Sequence, residues 1–302
     1  MPPAPWPVLV AGTITRDQVT TPMGFNADGL GGSATYFALA ARLFAPVQVI
    51  ATVGSDFADA FSAAVSGEGV DLRGVARSRL PTYRWTATHD YATGTTASER
   101  SEQGAYDHFQ PELLDEQRRA PVVFLGSMQP RYQARVLDQL EDPRLVAGDT
   151  MRLYIEERRD ELEPVLHRLD YLILNGVEAM ALAQASTVEE ASAALRRRYR
   201  LRGLLIKEGA RGATLHGEDG AEHVPALPVD PPQDPTGAGD AVAGGFLGHL
   251  AEQRREDPET LHRALRYGMV MASFTIQRFS VAGLLRLTRA DVEARMGAFP
   301  RA

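Results

Sequence analysis

The heptad Asp234-Pro-Thr-Gly-Ala-Gly-Asp240 is followed by Ala241-Val-Ala-Gly-Gly-Phe-Leu-Gly-His-Leu250, a run of helical character. That order sets three backbone amides, those of Gly237, Ala238 and Gly239, at the start of a helix with the Asp240 carboxylate directly behind them. Gly237 and Gly239 lack a Cβ, so the main chain can approach a ligand closely and take dihedrals closed to other residues. The first N–H groups of a helix have no intrahelical acceptors, and the helix dipole favours negative charge there. A carboxylate is out of place in a plain phosphate cradle. It is in place if Asp240 accepts a proton from a hydroxyl while the amides stabilise a phosphoryl group in transit. Thr-Gly-Ala-Gly alone is equally consistent with an ordinary strand-to-helix turn capped by an aspartate.

The full heptad closely resembles the signature of the ribokinase family, also called the phosphofructokinase-B (PfkB) family of carbohydrate kinases. In that family the amide turn forms an anion hole and the last aspartate is the catalytic base. The resemblance implies those roles for Gly237, Ala238 and Gly239, and for Asp240. Gly12-Thr-Ile-Thr-Arg-Asp17 resembles the family segment whose aspartate grips the substrate, and Leu30-Gly31-Gly32-Ser33 resembles its Gly-Gly turn. Asp17, Gly31, Gly32 and Tyr36 are thereby implied as substrate-binding residues. Charge-assisted hydrogen bonds from vicinal hydroxyls to a carboxylate suit a polyol. Ribose-specific relatives carry asparagines where this chain has Thr15 and Tyr36, which speaks against ribose itself as the acceptor. Val53-Gly54-Ser-Asp56 also resembles a family element, of structural character.

Asn175-Gly-Val-Glu178 resembles the family's Asn-x-x-Glu motif, implying that both residues hold Mg²⁺ through water, with Asp149 at another strand end joining them. Read from the residues alone, Asn175 capping the next helix with Glu178 at its third position remains open. Lys207-Glu-Gly209-Ala-Arg-Gly212 resembles the nucleotide-side loop, so Lys207, Gly209, Gly212 and Thr236 are implied to bind ATP, the co-substrate. Lys207 is the only lysine among 32 basic residues, and a compact ammonium can approach a phosphate where a guanidinium does not fit. A lysine snorkelling at a strand end is the alternative. The resemblance places the adenine pocket among Gly209, residues 264–272 and the loop 279–283. It also raises a monovalent cation beside the anion hole, as in several relatives.

The elements that must position these residues alternate in type. Val8–Gly12, Val47–Gly54, Val122–Gly126, Leu145–Asp149, Tyr171–Asn175 and Leu204–Gly209 read as buried strands. Thr35–Phe44, Phe57–Gly67, Arg131–Leu140, Met151–Leu169, Val188–Tyr199 and Glu259–Phe279 read as helices, and Thr288–Asp291 as a capping box. Such alternation predicts a doubly wound α/β fold, a mostly parallel sheet with helices on both faces and ligands at the strands' C-terminal edge. Thr82–Tyr91 breaks the pattern by strict alternation, with Tyr83, Trp85, Ala87, His89 and Tyr91 on one face, before a turn at residues 92–95. Segments 13–23 and 81–104 therefore read as a small β-lid on a single domain, 1–302. The alternative is an edge hairpin packed on the core.

Composition narrows the function. A net charge of −7 argues against nucleic-acid and anionic-membrane partners, and the absence of cysteine excludes thiolate chemistry. The opening residues have no signal-peptide pattern and no stretch reaches membrane-spanning length, so a cytoplasmic protein is expected. The seven histidines lack metal-ligand spacing, and no Walker, protein-kinase, dinucleotide or nucleophile-elbow motif occurs. The reading is a kinase transferring the γ-phosphoryl of ATP to a hydroxyl of a sugar or sugar-like molecule. A nucleoside kinase of the same family is the first alternative, since the aromatic lid face could stack on a base. A silent nucleotide- or sugar-binding protein is the second. The same lid face could instead pair two copies in a homodimer.

Overall fold

The computed structural model describes residues 3–66, 69–92 and 95–299. Among them are thirteen strands: β1 (Val8–Ala11), β2 (Thr15–Thr21), β3 (Gly24–Gly31), β4 (Val47–Val53), β5 (Val70–Arg77), β6 (Arg84–Asp90), β7 (Thr95–Glu102), β8 (Val122–Leu125), β9 (Leu145–Asp149), β10 (Tyr171–Asn175), β11 (Gly203–Lys207), β12 (Ala213–Gly217) and β13 (Gly220–Val224). The helices are α1 (Ser33–Ala41), α2 (Asp59–Val65), α3 (Asp115–Arg118), α4 (Pro130–Leu137), α5 (Arg152–Glu157), α6 (Arg159–Leu166), α7 (Gly176–Ala183), α8 (Val188–Tyr199), α9 (Ala238–Gln253), α10 (Pro258–Thr275) and α11 (Arg289–Met296).

Nine strands form one sheet in the order β13-β12-β11-β10-β9-β8-β1-β4-β5. Every pairing from β5 to β11 is parallel, and only β11-β12-β13 is antiparallel. The composition of β1 shows why both faces are covered. Val8 and Val10 pack with Phe37 and Phe246 from α1 and α9, whereas Leu9 and Ala11 pack with Leu162 and Leu195 from α6 and α8. A strand apolar on both faces needs helices on both. The order reverses beside β1, which opens a crevice at the C-terminal strand ends. This is the doubly wound α/β fold expected.

The lid is a separate four-stranded sheet, β3-β2-β6-β7. β3 was not foreseen, because Gly24, Gly29 and Gly31 with Asn26 and Asp28 disguise its strand character. Thr15, Asp17, Val19 and Thr21 of β2 are buried, and in register Asp17 faces Trp85 and Val19 faces Ala87. The aromatic face is therefore turned into the crevice. Its side chains bond within the chain, Trp85 to Ser98 and His89 to Thr96 and Thr236. Asp56 fixes the lid root: Thr82 N–H donates to it at 2.6 Å, Arg16 at 3.0 Å and Arg84 at 3.3 Å. Partial burial opposes its charge, but the Thr82 and Arg16 hydrogen bonds outweigh that and hold the carboxyl down at about 2.

Three expectations change. Met151–Leu169 is two helices, because Arg158 adopts φ −133°, ψ 32° between α5 and α6; no glycine or proline marks that break. The helix expected to Phe279 ends at Thr275. The β12–β13 hairpin escaped notice because its strands are short and largely polar. The helix end expected at Gly67 and the Thr93–Gly94 turn lie outside the described residues. Of the described helices, none is long and apolar enough to cross a membrane.

Candidate active site

Gly237 precedes α9 at φ 75°, ψ 0°, a left-handed conformation that favours glycine. A Cβ there would lie 2.2 Å from the Tyr36 ring. Tyr36 is thus the floor of the turn rather than a residue open to substrate, being 1% exposed. Ala238 N–H donates to the Pro235 carbonyl at 3.2 Å, while the Gly237 and Gly239 amides have no acceptor among the described residues. Ala238 thus closes the turn on itself, and the Gly237 and Gly239 amides are the ones left open beside it. Asp240 follows in the first turn, and residues 236–240 all retain partial exposure to the crevice. Burial pushes its carboxyl up to about 7, aided by Asp149 and Glu178 and opposed by Lys207. A carboxylate tuned near neutrality suits a general base.

The second glycine turn is built differently. A Cβ on Gly31 would fall 1.8 Å from Asp17 Oδ2, so the glycine makes room for the carboxylate. Gly32, at φ 95°, caps α1, with the Thr13 carbonyl only 2.3 Å from its absent Cβ. Asp17 Oδ1 and Thr15 Oγ1 are buried with no hydrogen-bond partner. Burial raises the Asp17 carboxyl to about 7, opposed by the neighbouring Thr15 hydroxyl and reinforced by repulsion from Asp234 and Asp240. Buried acceptors left unpaired are costly unless a ligand supplies the donors.

Lys207 is tied to the carboxylates beside the anion-hole turn. Its Nζ donates to Asp149 Oδ2 at 2.9 Å and lies 2.9 Å from the position a Gly239 Cβ would take. Burial disfavours its charge, but Asp149, Glu178 and Asp240 outweigh that and hold the ammonium protonated. It sits behind the anion-hole turn as counter-charge to three carboxylates. Asn175 and Glu178 form the capping box left open above, each side chain accepting the other's N–H at 2.9 Å. Glu178 nevertheless stays partly open, its carboxyl raised by burial and by Asp149. No cluster of three or more ligating side chains occurs among the described residues. That donor set fits water-mediated Mg²⁺ arriving with phosphates, not a resident bare ion.

A cavity of about 630 Å³ adjoins α9, lined by Gly209, Leu227, Val229, Ala238, Met269 and Ile276 and roofed by His89 and Tyr91. Gly209 and part of residues 264–272 belong to it as expected, whereas segment 226–235 was missed. The 279–283 loop serves elsewhere: Ser280 donates to the Leu30 carbonyl and, through N–H, to Asp234 Oδ2. Gly212 does not line the cavity either, since its left-handed φ of 113° places the chain against the Val224 carbonyl of β13. The Thr236 hydroxyl is engaged by His89 at 2.9 Å. His89 and Asp234 were not singled out as site residues, although strict alternation had put His89 on the aromatic face with Trp85.

A phosphotransfer site in a doubly wound fold, with amide turn, adjacent carboxylate and apolar cleft, is the class of protein these features define. The profile described as pfkB family carbohydrate kinase matches residues 14–286, and the chain belongs to that family. It is a kinase, a phosphotransferase with an alcohol acceptor. Cytidine kinase of Thermococcus kodakarensis is 28% identical over 280 residues, covering 90% of this chain and 96% of the relative. The fold matches that of the Methanocaldococcus jannaschii nucleoside kinase at TM-score 0.78 and 18% identity, covering 98% and 100% of the two chains. It also matches Arabidopsis thaliana ribokinase complexed with ribose and ATP at TM-score 0.77 and 20% identity, covering 99% and 100%.

Proposed function

We propose that this kinase phosphorylates a nucleoside on a ribose hydroxyl, using ATP. This departs from the sugar acceptor that the sequence first suggested and takes up its alternative. One observation carries it: Asp17 and Trp85 are register neighbours on the crevice face of the lid, Trp85 anchored by its Nε1 donating to Ser98 at 2.8 Å. The unpaired Asp17 Oδ1 would accept a ribose hydroxyl, while the indole beside it offers a face for the base. A simple sugar uses the first feature and leaves the second idle. The similarity to a cytidine kinase points the same way.

Asp240 would take the acceptor hydroxyl's proton, and the Gly237 and Gly239 amides would stabilise charge on the phosphoryl group. Lys207 would hold Asp149 in place behind that turn. Asp149 and Glu178 would hold the waters of Mg²⁺, which when bound neutralises charge on the phosphates. The lid excludes water from the transfer. Incubation with Mg-ATP and a panel of nucleosides, pentoses, hexoses, keto-acid sugars and inositols tests the acceptor. Phosphorylation of cytidine, uridine or a purine nucleoside at kcat/KM at least tenfold above any free sugar is expected; a preferred free sugar overturns the reading.

A further inference from the structure

His89 sits on β6 of the lid, yet it reaches the signature turn 147 residues away in sequence. Its Nε2 lies 2.9 Å from Thr236 Oγ1, and its Nδ1 lies 2.8 Å from Thr96 Oγ1 on β7. The ring is 7% exposed, and Trp85 packs edge-on to it with ring centroids 6.4 Å apart. Burial lowers its pKa, opposed by Asp234 at 3.8 Å, and favours the neutral ring, whose one donor and one acceptor match the two hydroxyls. Thr236 is held on its other side, its N–H donating to Asp234 Oδ1 at 2.9 Å. The peptide joining Thr236 to Gly237 carries one of the two unpaired amides of the anion hole. That planar peptide is anchored on both sides, by Thr236 and by the Gly237 carbonyl, which accepts from Ala241 N–H at 2.9 Å, and this restricts the direction of the Gly237 N–H. Two other lid bonds, from Thr21 and Tyr91, end on the Gln233 carbonyl and bypass this peptide.

We propose that His89 is a positioning residue for phosphoryl transfer: through the Thr236 hydroxyl it aims the Gly237 amide, so that the anion hole is complete when the lid is docked. Lid docking and amide alignment thereby become one event, and a site with the lid away is a poorer catalyst of ATP hydrolysis by water. The proposal rests on phosphotransfer to an alcohol and is independent of whether the acceptor is a nucleoside.

The test uses the whole chain with whichever acceptor the wild type prefers. His89→Ala and the near-isosteric Thr236→Val should each lower kcat about 10–100-fold with acceptor KM changed less than threefold, and Thr236→Ser should restore most of it. The double variant should lose no more than the worse single, because both remove one bond. Hydrogen exchange in the ADP complex should quicken over residues 84–90 and 233–240 in both variants, with thermal midpoints within a few degrees of wild type. Multiplying losses in the double variant, kcat within twofold of wild type, or unchanged exchange would each overturn the proposal. If the wild type prefers a free sugar, the acceptor reading fails while this test is still read in full.

Discussion

Helices α1 and α9 both start on glycines beside the crevice, yet their first amides have opposite fates. At α1, Ala34 N–H bonds the Thr13 carbonyl, Thr35 and Tyr36 bond the Gly32 carbonyl, and Ser33 N–H takes the Thr13 hydroxyl. Those four amides are spent, and what that end adds is the unpaired Asp17 acceptor. At α9 the amides of Gly237 and Gly239 stay open. One helix end presents acceptors suited to a hydroxyl-bearing substrate, and the other presents donors suited to a phosphoryl group. The same motif of glycine before helix performs two tasks because different neighbours consume its hydrogen bonds.

Substitutions can break this contrast, and the largest effect is expected at Asp240. Asp240→Asn should lower kcat by about 10²–10⁴ with ligand binding and thermal midpoint preserved; near-normal turnover measured with saturating substrates removes Asp240 from the base role. Gly237→Ala forces a side chain into the Tyr36 ring at φ 75°. It should cost on the order of 10² in kcat, by analogy with loss of an oxyanion donor. Gly31→Ala instead displaces Asp17, so steady-state kinetics should show acceptor KM raised about tenfold or more with kcat changed less. Equal effects of the two glycine variants on both constants would erase the distinction between the two helix ends.

A pH series sharpens it further, with a smaller effect. Asp17 and Asp240 sit near 7 in the fold, against 3.8 for the free group. Below the free value both states are protonated and nothing is lost; as pH climbs through the folded value the buried charges penalise the native state. The unliganded protein should therefore lose thermal stability from pH 5 to 8, while kcat rises over the same interval as Asp240 ionises. A thermal midpoint that climbs to pH 8 alongside a flat kcat would contradict both assignments. Asp56 behaves oppositely: held at about 2, it contributes stability above pH 4 that is lost on acidification. Asp56→Ala should destabilise by about 1–2 kcal/mol, read by denaturant unfolding at neutral pH.

The chain's local chemistry was readable in order. Runs of β-branched residues announced the parallel strands, and alternation over 82–91 announced a lid strand with one inward face, since both follow from periodicity alone. The heptad announced a helix N-terminus where only glycine serves. Tertiary structure decided who answers whom. Sequence could not show that Ala238 spends its amide on Pro235, or that Lys207 bonds Asp149 across 58 residues. It could not show that Thr236 belongs to His89. Each is a competition among donors and acceptors, and such contests are settled by which distant segments the sheet order brings within three ångströms.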